Sequence, residues 1–65
     1  MLTTYVTFDL WGVRCEARFD NVAEALRWIE ICYENRLILP IAVQGGTNDG
    51  EVRYNHRQLI EMMNI

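Results

Sequence analysis

The sequence predicts an α+β domain of order ββαββα, with an antiparallel sheet and two helices on one of its faces. Three observations lead there. Residues 4–10 and 13–19 alternate apolar with polar side chains, the period of half-buried strands. Residues 22–35 then switch to helical spacing. After an apolar run and a glycine-rich stretch, a short strand pattern and a second helix-start signal follow. Helices gathered on one side of an antiparallel sheet make a two-layer fold. At 65 residues the chain is expected to form one domain, residues 1–65.

In the first strand Val6, Phe8 and Leu10 point one way and Tyr5, Thr7 and Asp9 the other. In the second, Val13, Cys15, Ala17 and Phe19 oppose Arg14, Glu16 and Arg18. Between them lie Trp11 and Gly12, and Gly12 supplies the positive φ of a tight turn. A two-residue loop pairs Leu10 with Val13, Phe8 with Cys15 and Val6 with Ala17, so the apolar faces coincide. It also sets Asp9 opposite Arg14 and Tyr5 beside Arg18.

Asn21 followed by Glu24 fits a capping box. Val22, Ala25, Leu26, Ile29, Cys32 and Tyr33 then form one stripe, giving a helix over about 22–35. Residues 37–43 read as a third strand, apolar on both faces. Pro40 cannot donate to a ladder, so either this strand is an edge or the missing donor faces away from a partner. Residues 45–50 have the chemistry of a hairpin loop and residues 51–54 read as a fourth strand. Setting Val43 opposite Val52 puts Ile41 opposite Tyr54. Asn55 and Gln58 form a second capping box, with Tyr54 and Leu59 placed as a hydrophobic staple. Leu59, Ile60 and Met63 give the last helix its buried side.

Composition narrows the function. Half of the residues are hydrophobic (51%), which argues against disorder. Nine acids against six bases, all of them arginine, leave a net charge of −3. Such a chain lacks the positive field that draws proteins to nucleic acid or to anionic membranes. No apolar run is long enough to span a bilayer, and no basic segment leads into one. Two cysteines do not make a disulfide framework, so a reduced, cytoplasmic protein is expected.

Each candidate site has a plain structural alternative. On the first helix Ile31 lies almost opposite the core stripe and Trp28 about 100° from its centre. With Ile38 and Pro40 on the outward side of the third strand, they form a candidate interface, chiefly for a second copy of the chain. The alternative folds Trp28 over the edge of the core and leaves Ile31 a lone exposed residue. Tyr5, Arg14 and Arg18 share a sheet face that can stack and bind single-stranded nucleic acid, but Asp9 and Glu16 offset the arginines there. Thr47, Asn48, Asp49 and Glu51 offer oxygens without the spacing of a calcium loop. Cys15 and Cys32 point inward as small hydrophobes, so a nucleophilic pair with His56 requires one of them to leave the core. Glu24, Glu30, Glu34 and Glu61 are solubilising helix charges. No catalytic, metal or cofactor motif emerges.

The expectation is therefore a non-enzymatic protein-interaction module, homodimeric and with a protein partner. Two alternatives stand beside it. One is a nucleic-acid regulator working through Tyr5, Arg14 and Arg18. The other is a small-ligand or enzymatic site built at a dimer interface.

Overall fold

In the computed structural model, which describes residues 3–47 and 49–63, the elements follow the expected order. They are β1 (Thr4–Leu10), β2 (Val13–Phe19), α1 (Val22–Glu34), β3 (Leu39–Thr47), β4 (Gly50–Asn55) and α2 (His56–Met63). The four strands form one antiparallel sheet of order β2-β1-β3-β4, so β2 and β4 are its edges.

Both helices pack on the sheet face that carries Val6, Phe8 and Val43. Ala25 and Ile29 of α1 and Leu59 of α2 join these residues and Ile38 in one buried cluster. The expected capping box is complete at α2, whereas at α1 only its Asn21 half forms. The Glu24 amide donates to Asn21 Oδ1 at 2.8 Å. At α2 the box is reciprocal: Gln58 N donates to Asn55 Oδ1 and Asn55 N to Gln58 Oε1, both at 2.9 Å. α1 ends in a Schellman arrangement. Arg36 N donates to Tyr33 O at 3.0 Å and Leu37 N to Cys32 O at 2.9 Å, with Arg36 left-handed at φ 57°.

The β1–β2 hairpin has the register derived from its loop length, from Leu10↔Val13 to Thr4↔Phe19. Trp11 and Gly12 both take positive φ, 51° and 89°, as the tight turn matched to strand twist requires. Leu10 and Val13 have the expected parity but stay largely exposed, because no helix covers that end of the hairpin.

The third strand departs from the sequence reading in two ways. It runs on through Gly45 and Gly46 to Thr47, which shortens the loop and moves the β3–β4 register by two residues. Val43 now faces Tyr54 and Gly45 faces Val52. A bulge also interrupts its pairing with β1: Thr7 pairs with Ala42 and Phe8 with Pro40, leaving Ile41 as the extra residue. One added residue inverts the facing of everything before it. Ile38 and Pro40, expected on the outward side, are therefore buried in the core layer. β3 is an internal strand, and Pro40 fits because its pairing with β4 stops at Ala42 while β1 meets Pro40 just past the bulge.

Candidate functional site

Five of the exposed apolar residues lie around the β1–β2 turn and the start of β3, while Tyr5, Ile31 and Met62 are exposed elsewhere. At the β1–β2 turn Trp11 is 84% exposed, flanked by the half-exposed Leu10 and Val13. Leu39 pairs with Asp9 on the neighbouring strand, and Leu37 precedes it after the α1 cap; both are also about half exposed. Between the hairpin tip and the end of α1 lies a groove of about 640 Å³, whose lining includes Trp11, Tyr33, Leu37, Leu39 and Met63. Its charges are Asp9, Glu34 and Arg36.

Trp11 is the residue that sequence reasoning passed over. A bulky side chain in the left-handed region is a genuine outlier. Turns of this kind favour Asn, Asp or Gly at both central positions. A two-residue loop between Leu10 and Val13 already implies that Trp11 is left-handed and directed outward, so the signal was present.

The interface proposed from sequence is divided by the structure. Trp28 folds over the edge of the core: its ring lies 5.1 Å from Phe8 at 65° and 5.3 Å from Phe19 at 47°. The indole is long enough to reach the sheet from the side of the helix, and edge-to-face contact with Phe8 favours that pose. Ile31 remains 51% exposed on the same flank. Ile38 and Pro40 are buried on the core side instead of facing outward; Ile38 reaches only the floor of the groove beside Trp11.

Tyr5, Arg14 and Arg18 do share the outer sheet face. Arg14 Nε donates to Asp9 Oδ1 at 2.8 Å, and Arg18 sits opposite Tyr5. A shallow depression there, lined by Tyr5, Thr7, Glu16, Ala42, Gln44 and Arg53, includes neither Arg14 nor Arg18.

The remaining candidates are accounted for locally. Cys15 and Cys32 are free thiols, both partly buried against the core, and Cys15 Sγ lies 3.6 Å from the Val13 carbonyl. His56 Nδ1 is 2.6 Å from the Pro40 carbonyl. A carbonyl only accepts, so that nitrogen carries the proton and donates. Thr47 Oγ1 accepts from the Asp49 amide and donates to Gly50 O, closing the β3–β4 turn; Asn48 lies outside the described residues. Among the described residues no three His, Cys, Asp or Glu side chains converge on a metal position, and no helix is long and apolar enough to cross a membrane. Comparisons with protein families, with characterised proteins and with solved structures return no match.

Proposed function

We propose that this chain is a non-enzymatic protein-interaction module that inserts its hairpin tip into an apolar pocket on a partner protein. The observation that carries this reading is Trp11, held at φ 51° and 84% exposed. The conformation costs stability, roughly 1–2 kcal/mol, and a bulky aromatic there gains nothing back from its own fold. Strain of that kind collects where a side chain is needed for contact. Tryptophan is also enriched, with tyrosine and arginine, among the residues that anchor protein interfaces. Leu10, Val13, Leu37 and Leu39 supply an apolar surround of the type that excludes water from such an anchor.

The nucleic-acid reading has less behind it, since Arg14 is engaged by Asp9 and Glu16 sits between the two arginines. Catalysis has less still, because Cys15, Cys32 and His56 all have structural occupations. Two free, partly buried thiols suit a reducing compartment.

The test uses Trp11→Asn, which supplies the residue such a turn prefers and so keeps the hairpin. Proteins retained from source-cell extract by the unmodified chain and lost on the variant are then purified and titrated against both. The expected result is a partner whose affinity falls roughly thirtyfold or more, the loss of a hot-spot residue. Equal affinity for the two chains overturns the proposal.

A further inference from the structure

We infer that two copies of this chain pair through the outer edge of β2, in antiparallel register about a two-fold axis at Ala17. The inference rests on the interaction-module reading and names a second copy as the partner of a different surface. Among the described residues nothing pairs with that edge of β2. The strand is seven residues long and free of proline and lysine, and the charges along it, Arg14, Glu16 and Arg18, are of mixed sign, so a second copy can pair with them instead of being repelled.

The charge order of residues 14–20, Arg-Cys-Glu-Ala-Arg-Phe-Asp, is complementary to its own reversal. With Ala17 on the axis, Glu16 faces Arg18 of the second copy within the strands, and Arg14 comes level with Asp20, the bend residue just past the end of β2. On the inner face Cys15 meets Phe19 and Ala17 meets Ala17. Every outer pair is then of opposite sign and every inner pair is apolar, the arrangement that stabilises cross-strand neighbours. Centring on Glu16 instead sets Arg14 against Arg18 and Glu16 against itself. Centring on Cys15 satisfies Arg14 and Glu16 but carries Arg18 and Asp20 past the seam.

The backbone agrees with this register. The tight turn closes Leu10 and Val13 as a hydrogen-bonded pair, so the odd-numbered residues of β2 bond to β1. The amides and carbonyls of Arg14, Glu16 and Arg18 point outward, and these are the residues that the register pairs across the seam. Of the three outward charges on β2, Glu16 and Arg18 have no ion pair in their own chain among the described residues, whereas Arg14 already holds Asp9. An axis perpendicular to the sheet keeps both copies' helices on one face. Val13 falls outside the paired stretch, so each Trp11 tip remains available at opposite ends of the dimer.

The experiment measures mass by sedimentation equilibrium at micromolar concentration. The unmodified chain is expected at twice its 7.7 kDa mass. Glu16→Arg alone and Arg18→Glu alone each weaken association by roughly tenfold or more, as attractive cross-strand pairs become repulsive. The double variant restores it. Ala17→Cys, in a chain with Cys15→Ser and Cys32→Ser, oxidises to a covalent dimer, since directly opposed strand residues lie within disulfide reach. A single-chain mass for the unmodified protein overturns the pairing, and so does a double variant as weak as the single ones. The Trp11 outcome is separate: a monomer that still binds through Trp11 removes only the pairing, and a dimer indifferent to Trp11→Asn removes only the tip reading.

Discussion

Gly45 lies opposite Thr4 across the β1–β3 ladder, and the Thr4 side chain fills the space that a Cβ on Gly45 would need. A Cβ built there comes within 2.9 Å of Thr4 Cβ, closer than real contacts allow. Because the obstacle sits at the root of a side chain and not at its flexible end, the backbone must move. Gly45→Ala is expected to lower stability by about 2 kcal/mol, the usual cost of overfilling a packed layer. In a Thr4→Ala background the same change costs less, with a coupling of about 1 kcal/mol between the two sites. Urea unfolding of the four chains checks this, and additive effects would show that the two residues do not compete for space.

The Thr4 hydroxyl is fully buried and has no hydrogen-bond partner among the described residues. A buried hydroxyl left without a partner costs about 1–3 kcal/mol. Valine keeps the shape and replaces the oxygen with a methyl group. Thr4→Val is therefore expected to raise stability by about 1 kcal/mol, which for a domain of this size is an increase of roughly 4–8 °C in Tm. A fall in Tm would mean that the hydroxyl has a partner in solution.

Gly45 also shows where the sequence could be read and where it could not. The first hairpin was legible pair by pair, because a two-residue loop and strict alternation leave one register that matches faces. Both helix starts were legible because Asn21 and Asn55 each precede a matching residue at the third position. The third strand was not. Leu37 to Val43 are apolar on both faces, so alternation carries no parity, and a bulge at Ile41 leaves no trace in such a run. Gly45 and Gly46 resemble loop residues, and only the position of Thr4 explains why a strand needs a glycine there. Of the candidate surface residues, Ile31 is exposed as its helical angle implied, whereas Ile38 and Pro40 were inverted by the bulge and Trp28 turned to cover Phe8 and Phe19.

Arg36 occupies the left-handed position that ends α1, where glycine is the usual residue. Its amide donates one cap hydrogen bond and its left-handed backbone brings the Leu37 amide to the other, so the cost lies in the side chain's crowding against its own main chain. Arg36→Gly relieves that crowding. It also gives the unfolded chain more freedom, which offsets part of the gain. The net expectation is a stabilisation of about 0.5–1 kcal/mol by the midpoint of urea unfolding. A destabilised variant would show that the arginine side chain makes a contact of greater value than the strain.

α2 has only eight residues, too short to be helical without help, and His56 is one of the residues that attach it. Leu59 anchors the helix in the core, the Asn55–Gln58 box closes its first turn, and His56 Nδ1 ties that turn to the Pro40 carbonyl beside the bulge in β3. His56→Ala leaves the carbonyl without its donor and is expected to cost about 1 kcal/mol. The cost should fall unevenly. Amide exchange in α2 should speed up more than exchange in β1 and β3, because the short helix can open without unfolding the sheet. His56→Asn, whose side-chain amide also donates, should recover part of the protection. Equal acceleration in helix and sheet would mean that α2 opens only when the whole domain unfolds.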